Sequence, residues 1–254
     1  MARWTDFGVR HNPPMSGRTV VTEIAPPLIP FVDERVALRG SPFLGITTDG
    51  NPRRGLFELK PTGKSLTPLA EAASAFLDGL TSEQRARAQQ PLESEDWRAW
   101  INVHMNFFRH GVMLEDLDLA GRQRALDLLR ATLSARGFGQ ARDIMRLNEL
   151  LRDVTASPDE FGEWLYFVTV FGNPSSDEPW GWQIDGHHLV VNCVVVGDQM
   201  VLTPTFMESE PRAADARQHD ERSAPTARCR RGRTPGVSAS GDRLRSRRHA
   251  RPRA

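Results

Sequence analysis

The chain has 254 residues, 39% hydrophobic and 26% charged, with 33 basic and 32 acidic side chains, enough to bury one sizeable core. No run approaches the roughly 18 apolar residues of a membrane span, the start has no apolar leader, and Cys193 and Cys229 alone cannot build a disulfide scaffold or a four-cysteine zinc site; a cytoplasmic protein is expected. The near-neutral charge hides two parts: residues 212–254 hold 13 arginines, no lysine and 4 acids, which leaves 20 basic and 28 acidic residues before them.

Residues 1–60 are rich in proline and glycine, including Pro13-Pro14, Pro26-Pro27 and Pro30. They read as an extended N-terminal arm with short strands near 20–24 and 55–59. A core over 61–211 follows. Thr67-Pro68 marks a helix start, Leu69, Ala72, Ala73, Phe76, Leu77 and Leu80 then fall on one face, and Gly79 closes the helix. Thr81 and Gln84 form a capping box for a short second helix. Trp97, Trp100, Ile101, His104, Met105 and Phe108 recur at helical spacing, so a helix is expected there, with His104 a satisfied residue on its apolar face. Glu115, Asp116 and Asp118 read as a solvated helix start. Leu126, Leu129 and Leu133 mark a further helix, ended by Gly137-Phe138-Gly139, and Ile144, Leu147 and Leu151 mark the next.

The period then changes. Residues 164–171 are apolar on both faces and rich in aromatic and β-branched side chains, the pattern of a buried strand. A second strand is expected over 187–196, a turn at Gly197-Asp198 and a return strand over 199–203. Helices first and strands afterwards give an α+β fold, a helical half packed on an antiparallel sheet.

The unusual polar residues concentrate between Asp177 and His188. Side chains alternate along a strand, so His187 and His188 would face opposite sides. Pairing counted back from the turn sets Asn192 against Thr203, His188 against Met207 and His187 against Glu208. His188, Asn192 and Thr203 then form a polar line, and a polar cluster on a buried face is a site candidate. Three readings stay open. A divalent metal (zinc, iron or manganese) could be held by His187, His188 and Asp185 with help from His104, His110 or Glu178. A metal-free acid/base pair could join a histidine to Asp185 or Glu208. The histidines could also simply close strand ends while Trp180 and Trp182 fill the core. Cys193, inside an apolar strand, is expected to be inert.

Residues 212–254 contain no aromatic and, apart from alanines and Cys229, only Val237 and Leu244 as apolar residues. Such a segment cannot offset its ordering entropy and is expected to be disordered. It has no aromatic to stack on bases, so a nucleic-acid partner is not expected. Its Arg-Ala-Pro-Gly-Ser composition is that of a GC-rich gene translated out of frame, in a chain whose only lysines are Lys60 and Lys64. We expect the native frame to be lost between Arg212 and Arg217.

Phe171-Gly172-Asn173-Pro174, Trp180-Gly181-Trp182, Asp185-Gly186-His187-His188-Leu189, Asn192 and Thr203-Pro204-Thr205-Phe206 together resemble the domain of unknown function 3500 family, over residues 66–211. The resemblance implies that family's fold and a shared histidine site, with the chain departing from the family after Pro211. The leading functional expectation is a metal-dependent, hydrolase-like enzyme with His187 and His188 as ligands and Asp185 and His188 as catalytic groups. The alternatives are a non-catalytic protein that binds a small molecule against Trp180, Trp182, Asn192 and Thr203, and a truncated product without function.

Overall fold

A computed structural model describes residues 16–18, 24, 26–41, 51, 53, 55, 58–107 and 110–209. Residues 212–254, with the expectations of disorder and lost frame, lie outside the described residues, as do 20–23, 56 and 57 of the two short strands expected near 20–24 and 55–59; residues 55, 58 and 59 are not in a strand.

The elements are α1 (Ile29–Arg39), α2 (Thr67–Asp78), α3 (Ser82–Ala88), β1 (Gln89–Gln90), β2 (Val112–Met113), α4 (Leu119–Thr132), α5 (Ala135–Thr155), β3 (Tyr166–Phe171), β4 (Trp180–Gly186), β5 (Leu189–Val196) and β6 (Gln199–Met207). The fold is α+β. The sheet runs β1-β3-β4-β5-β6, with β2 also on β3. Its pairings are antiparallel except for the two-residue contact of β1 with β3, which is parallel.

Local chemistry sets most boundaries. The Thr81–Gln84 capping box opens α3 as expected, and Asp118 caps α4 by accepting from the Gly121 amide. Four expectations are corrected. Pro26–Leu28 and α1 are helical, so the N-terminal arm is not wholly extended; a proline at the start suits a helix, because its missing N–H would be unpaired there anyway. The glycines at 137 and 139 do not end a helix: Ser134 accepts from the Gly137 amide and starts α5, which runs through both. The stretch from Trp97 is not a helix but a short 3-10 turn, Glu95–Arg98, followed by irregular chain. Finally, the strand expected over 187–196 begins only at Leu189, and residues 180–186 before it form a full central strand, β4.

The two faces of the sheet are covered differently. Trp180, Trp182 and Ile184 of β4, with Tyr166, Val168 and Val170 of β3 and Leu189, Val191 and Cys193 of β5, form one core with Leu69, Phe76, Leu77, Leu128, Leu129 and Met145 of the helices. The other face carries Gly181, Gln183 and Asp185, and the irregular strap over 97–107 lies across it. The strap is backed by α1 through Val32, packed with Ile101, Met105 and Phe107, and through Arg35 over Trp100.

A candidate active site at the β4–β5 turn

Gly186 pairs with Leu189, so His187 and His188 are not strand residues. They are the two residues of the turn between β4 and β5, and His188 takes a left-handed backbone, φ 59°. That conformation is uncommon for a residue other than glycine, and here neighbours on three sides hold it. The His188 amide donates to Asn102 O at 3.0 Å, and His188 O accepts from the Glu208 amide at 3.0 Å. Tyr166 Oη donates to His187 O at 2.9 Å. Leaving the strand removes the alternation that would have parted the two rings, and their centroids lie 4.0 Å apart.

His187 is buried, and its Nδ1 meets Asn148 Oδ1 at 2.9 Å. Asn148 Nδ2 donates to Gly162 O at 2.8 Å, so the amide oxygen must be the atom that faces the ring. An oxygen can only accept; the network therefore assigns the proton to Nδ1 and the lone pair to Nε2. Burial, and then the nearness of His188 and His104, push the His187 pKa well below the ordinary histidine value. His187 is thus a neutral imidazole held in one tautomer.

Two further residues complete the cluster. The His104 ring lies 5.6 Å from that of His187, nearly perpendicular to it, with Nε2 3.4 Å from Glu160 Oε2. Phe161 borders both rings, at 5.1 Å and 5.4 Å. Glu160 is only 6% exposed; burial first, and then the charge of Asp159, push its carboxyl up to about 7. Gly17 passes so close that a Cβ there would stand 2.8 Å from Glu160 O and 3.0 Å from His104 O. His188 faces Phe206 and has Glu208 Oε2 3.7 Å from its Nδ1.

Asp185 belongs to a neighbouring arrangement under the strap. Its Oδ2 accepts from the Ile101 amide at 3.0 Å, and its Oδ1 lies 3.1 Å from His110 Nε2. The same His110 nitrogen is 2.9 Å from Gln183 Oε1. Gln183 Nε2 donates to Trp97 O at 3.3 Å and to Asn192 Oδ1, and Asn192 Nδ2 donates to Pro204 O at 2.9 Å.

The expected site residues are therefore divided. His187 and His188 meet, while Asp185 turns to His110 and the strap. Among the described residues no group of three or more His, Cys, Asp or Glu is arranged to hold a metal. Trp180 and Trp182 are fully buried against the helices, Trp182 Nε1 donating to Thr132 Oγ1 at 3.1 Å; they form no wall of an open ligand site. Thr203 is exposed. A bulge between Val191 and Cys193 sets Thr205 opposite Val191 and Met207 opposite Leu189, so the register predicted beyond the bulge is one residue out and Asn192 reaches the Pro204 carbonyl instead. Glu178 is exposed, in the loop that precedes β4. Two surface clefts, about 540 and 430 Å³, are lined by Gln89 and Asn173 and by Glu71 and Ser175; both lie at the end of the sheet away from the histidine turn.

Sequence reasoning missed Asn148, Glu160 and Gln183. Asn148 did leave a signal, a polar side chain on the same helical face as Ile144, Met145 and Leu151. Glu160, in an irregular loop, left none.

The family model described as protein of unknown function DUF3500 matches residues 62–233. That match continues past Pro211, the end of the stretch on which the resemblance rested. No curated protein matches the chain, and no solved structure does.

Proposed function

The chain belongs to the DUF3500 family, and from that premise we propose that it is an acid/base enzyme acting on a small molecule, with the β4–β5 turn as its reactive centre. The observation that carries this reading is the pairing of oppositely displaced groups. His187 is kept neutral with its lone pair on Nε2, and Glu160 nearby is pushed up to about 7, so that it can still hold a proton at neutral pH. Environments that drive titratable groups apart are how one site holds both a base and an acid. Hydrolysis fits the pair: His187 Nε2 takes a proton from water, and protonated Glu160 gives one to the leaving group. Asn148 is the positioning residue for His187, and His104 faces Glu160. A cytoplasmic setting suits a chain with two cysteines, and fractionation of cells tests it.

Nitrogen-15 shifts of His187 and the carbon shift of the Glu160 carboxyl, followed from pH 4 to 9, test the reading directly. The expected result is an Nδ1-protonated His187 that stays neutral and a Glu160 midpoint of about 7. An Nε2-protonated His187, or a Glu160 that titrates as an ordinary carboxyl, would falsify it. Hydrolase screens then compare the parent with His187→Gln and Glu160→Gln, both expected to be inactive. Elemental analysis of the same preparations tests the metal expectation: stoichiometric zinc, iron or manganese that is lost in His187→Gln would replace this reading with a metal-dependent one.

A further inference from the structure

Asp185 lies outside the histidine cluster, yet it holds the strap that brings His104 there. Its Oδ2 accepts from the Ile101 amide, inside the strap, at 3.0 Å, and its Oδ1 faces His110 Nε2, just beyond the strap, at 3.1 Å. Between these points the strap receives the His188 amide on Asn102 O and presents His104 to Glu160 and His187. Upstream, Gln183 Nε2 holds Trp97 O. Irregular chain has no hydrogen-bond ladder of its own to fix its course, so its position is set by such side-chain attachments. Asp185 is 5% exposed, so the amide bond to Ile101 and the facing His110 ring are its links to this part of the chain.

We infer that Asp185 is a positioning residue of the proposed site: by holding the strap at Ile101 and facing His110 just beyond it, Asp185 sets His104 against Glu160 and keeps water from that carboxyl. This rests on the reading of the turn as the reactive centre, and it gives Asp185 a different role from the ligand or base that the sequence suggested. The tautomer of His187 is set separately, by Asn148.

The test uses the whole chain and its Asp185→Asn variant. Asparagine keeps an oxygen for the Ile101 amide but loses the charge facing His110. The Ile101 amide is expected to exchange at least about tenfold faster, the His104 ring resonances to move, and the Glu160 midpoint to fall from about 7 toward the ordinary carboxyl range. The Nδ1-protonated tautomer of His187 should be kept, because Asn148 fixes it. A folded Asp185→Asn protein with unchanged His104 resonances and an unchanged Glu160 midpoint overturns the inference. If that variant does not fold, His110→Gln, which leaves the Ile101 contact intact, is expected to move the same two signals in the same direction, and no movement overturns the inference. An unprotected Ile101 amide in the parent overturns it without any variant. A parent whose Glu160 titrates ordinarily defeats the proposed function instead, and the strap is then judged on Ile101 and His104 alone.

Discussion

The two faces of β4 are equally dry and differently built. Toward the helices point Trp180, Trp182 and Ile184, within 1% of complete burial, among aliphatic and aromatic neighbours. Toward the strap point Gln183 and Asp185, also buried, in a chain of hydrogen bonds that runs from His110 to Pro204 O. The first face is held by area removed from water, which is non-directional and tolerates exchange of like volumes. The second is held by directional bonds, and each of its polar groups is costly once a partner is lost. The apolar face supplies stability, and the polar face fixes where an irregular segment and its histidine must lie.

The largest effect should come from the helix-side face. Trp182→Ala removes a fully buried indole and the bond to Thr132, and it is expected to cost about 3–5 kcal/mol in urea unfolding. Trp182→Phe, which keeps most of the volume, should cost clearly less. Equal losses would mean that the Thr132 bond, rather than area, dominates this face.

On the strap side, Gln183→Leu is close in size but strips one partner from His110, Trp97 O and Asn192 together. The expected loss is about 1–3 kcal/mol, with strap amides exchanging faster while those of α4 do not. A uniform loss of protection over both faces would remove the distinction between them.

The sequence made one face much more legible than the other. Periodicity located α2, α4, α5 and β3, because the helix-side core is written in apolar residues that recur at regular intervals. The capping box and the Gly197-Asp198 turn were readable because their chemistry lies within a few residues. β4 escapes the pattern, since its polar residues alternate with tryptophan and conceal a strand buried on both faces. The strap imitated a helix: Trp97, Ile101 and Met105 have helical spacing, but they pack against β4 and α1, and contacts distant in sequence overrode the local pattern. His187 and His188 were identified, but not their geometry, which depends on a turn closed by Gly186 and Leu189. Asn148 and Glu160, 39 and 27 residues before His187 in the numbering, are joined to it only by the fold.

Acid and base should then separate the site from the rest of the strap side. Glu160 has a raised folded-state pKa, so its contribution is fully present below the unfolded carboxyl value of 4.5 and is lost as pH rises through about 7. His187 has a depressed folded-state pKa, so its contribution is present above 6.5 and is lost as pH falls below it. Between pH 4.5 and 6.5 the two oppose each other. Glu160→Gln should therefore remove the decline toward pH 7 and expose the His187 slope, as urea midpoints across pH would report. An unchanged pH profile in Glu160→Gln would mean that this carboxyl is not buried in its charged form.

The smallest effect lies at the rim, where it asks whether the polar side is one unit. Arg18 grips Glu115 with both ends of its guanidinium, Nε to Oε2 at 2.6 Å and Nη2 to Oε1 at 2.8 Å. The two side chains are 27% and 32% exposed, so solvent and salt screen the pair, and Arg18→Ala is expected to cost no more than about 1 kcal/mol, less at high salt. The segment it anchors is nevertheless the one whose Gly17 runs between the carbonyls of His104 and Glu160, with its amide on Asp159 O and Ser16 O accepting from the Asn106 amide. Those backbone bonds remain when Arg18 is truncated, so the Glu160 midpoint should hardly move. Gly17→Ala should move it, because the added methyl must displace one carbonyl or the other. If Arg18→Ala shifts Glu160 as far as Gly17→Ala does, the rim ion pair and the buried histidine cluster are one cooperative unit, and the division between the faces of β4 extends to the edge of the site.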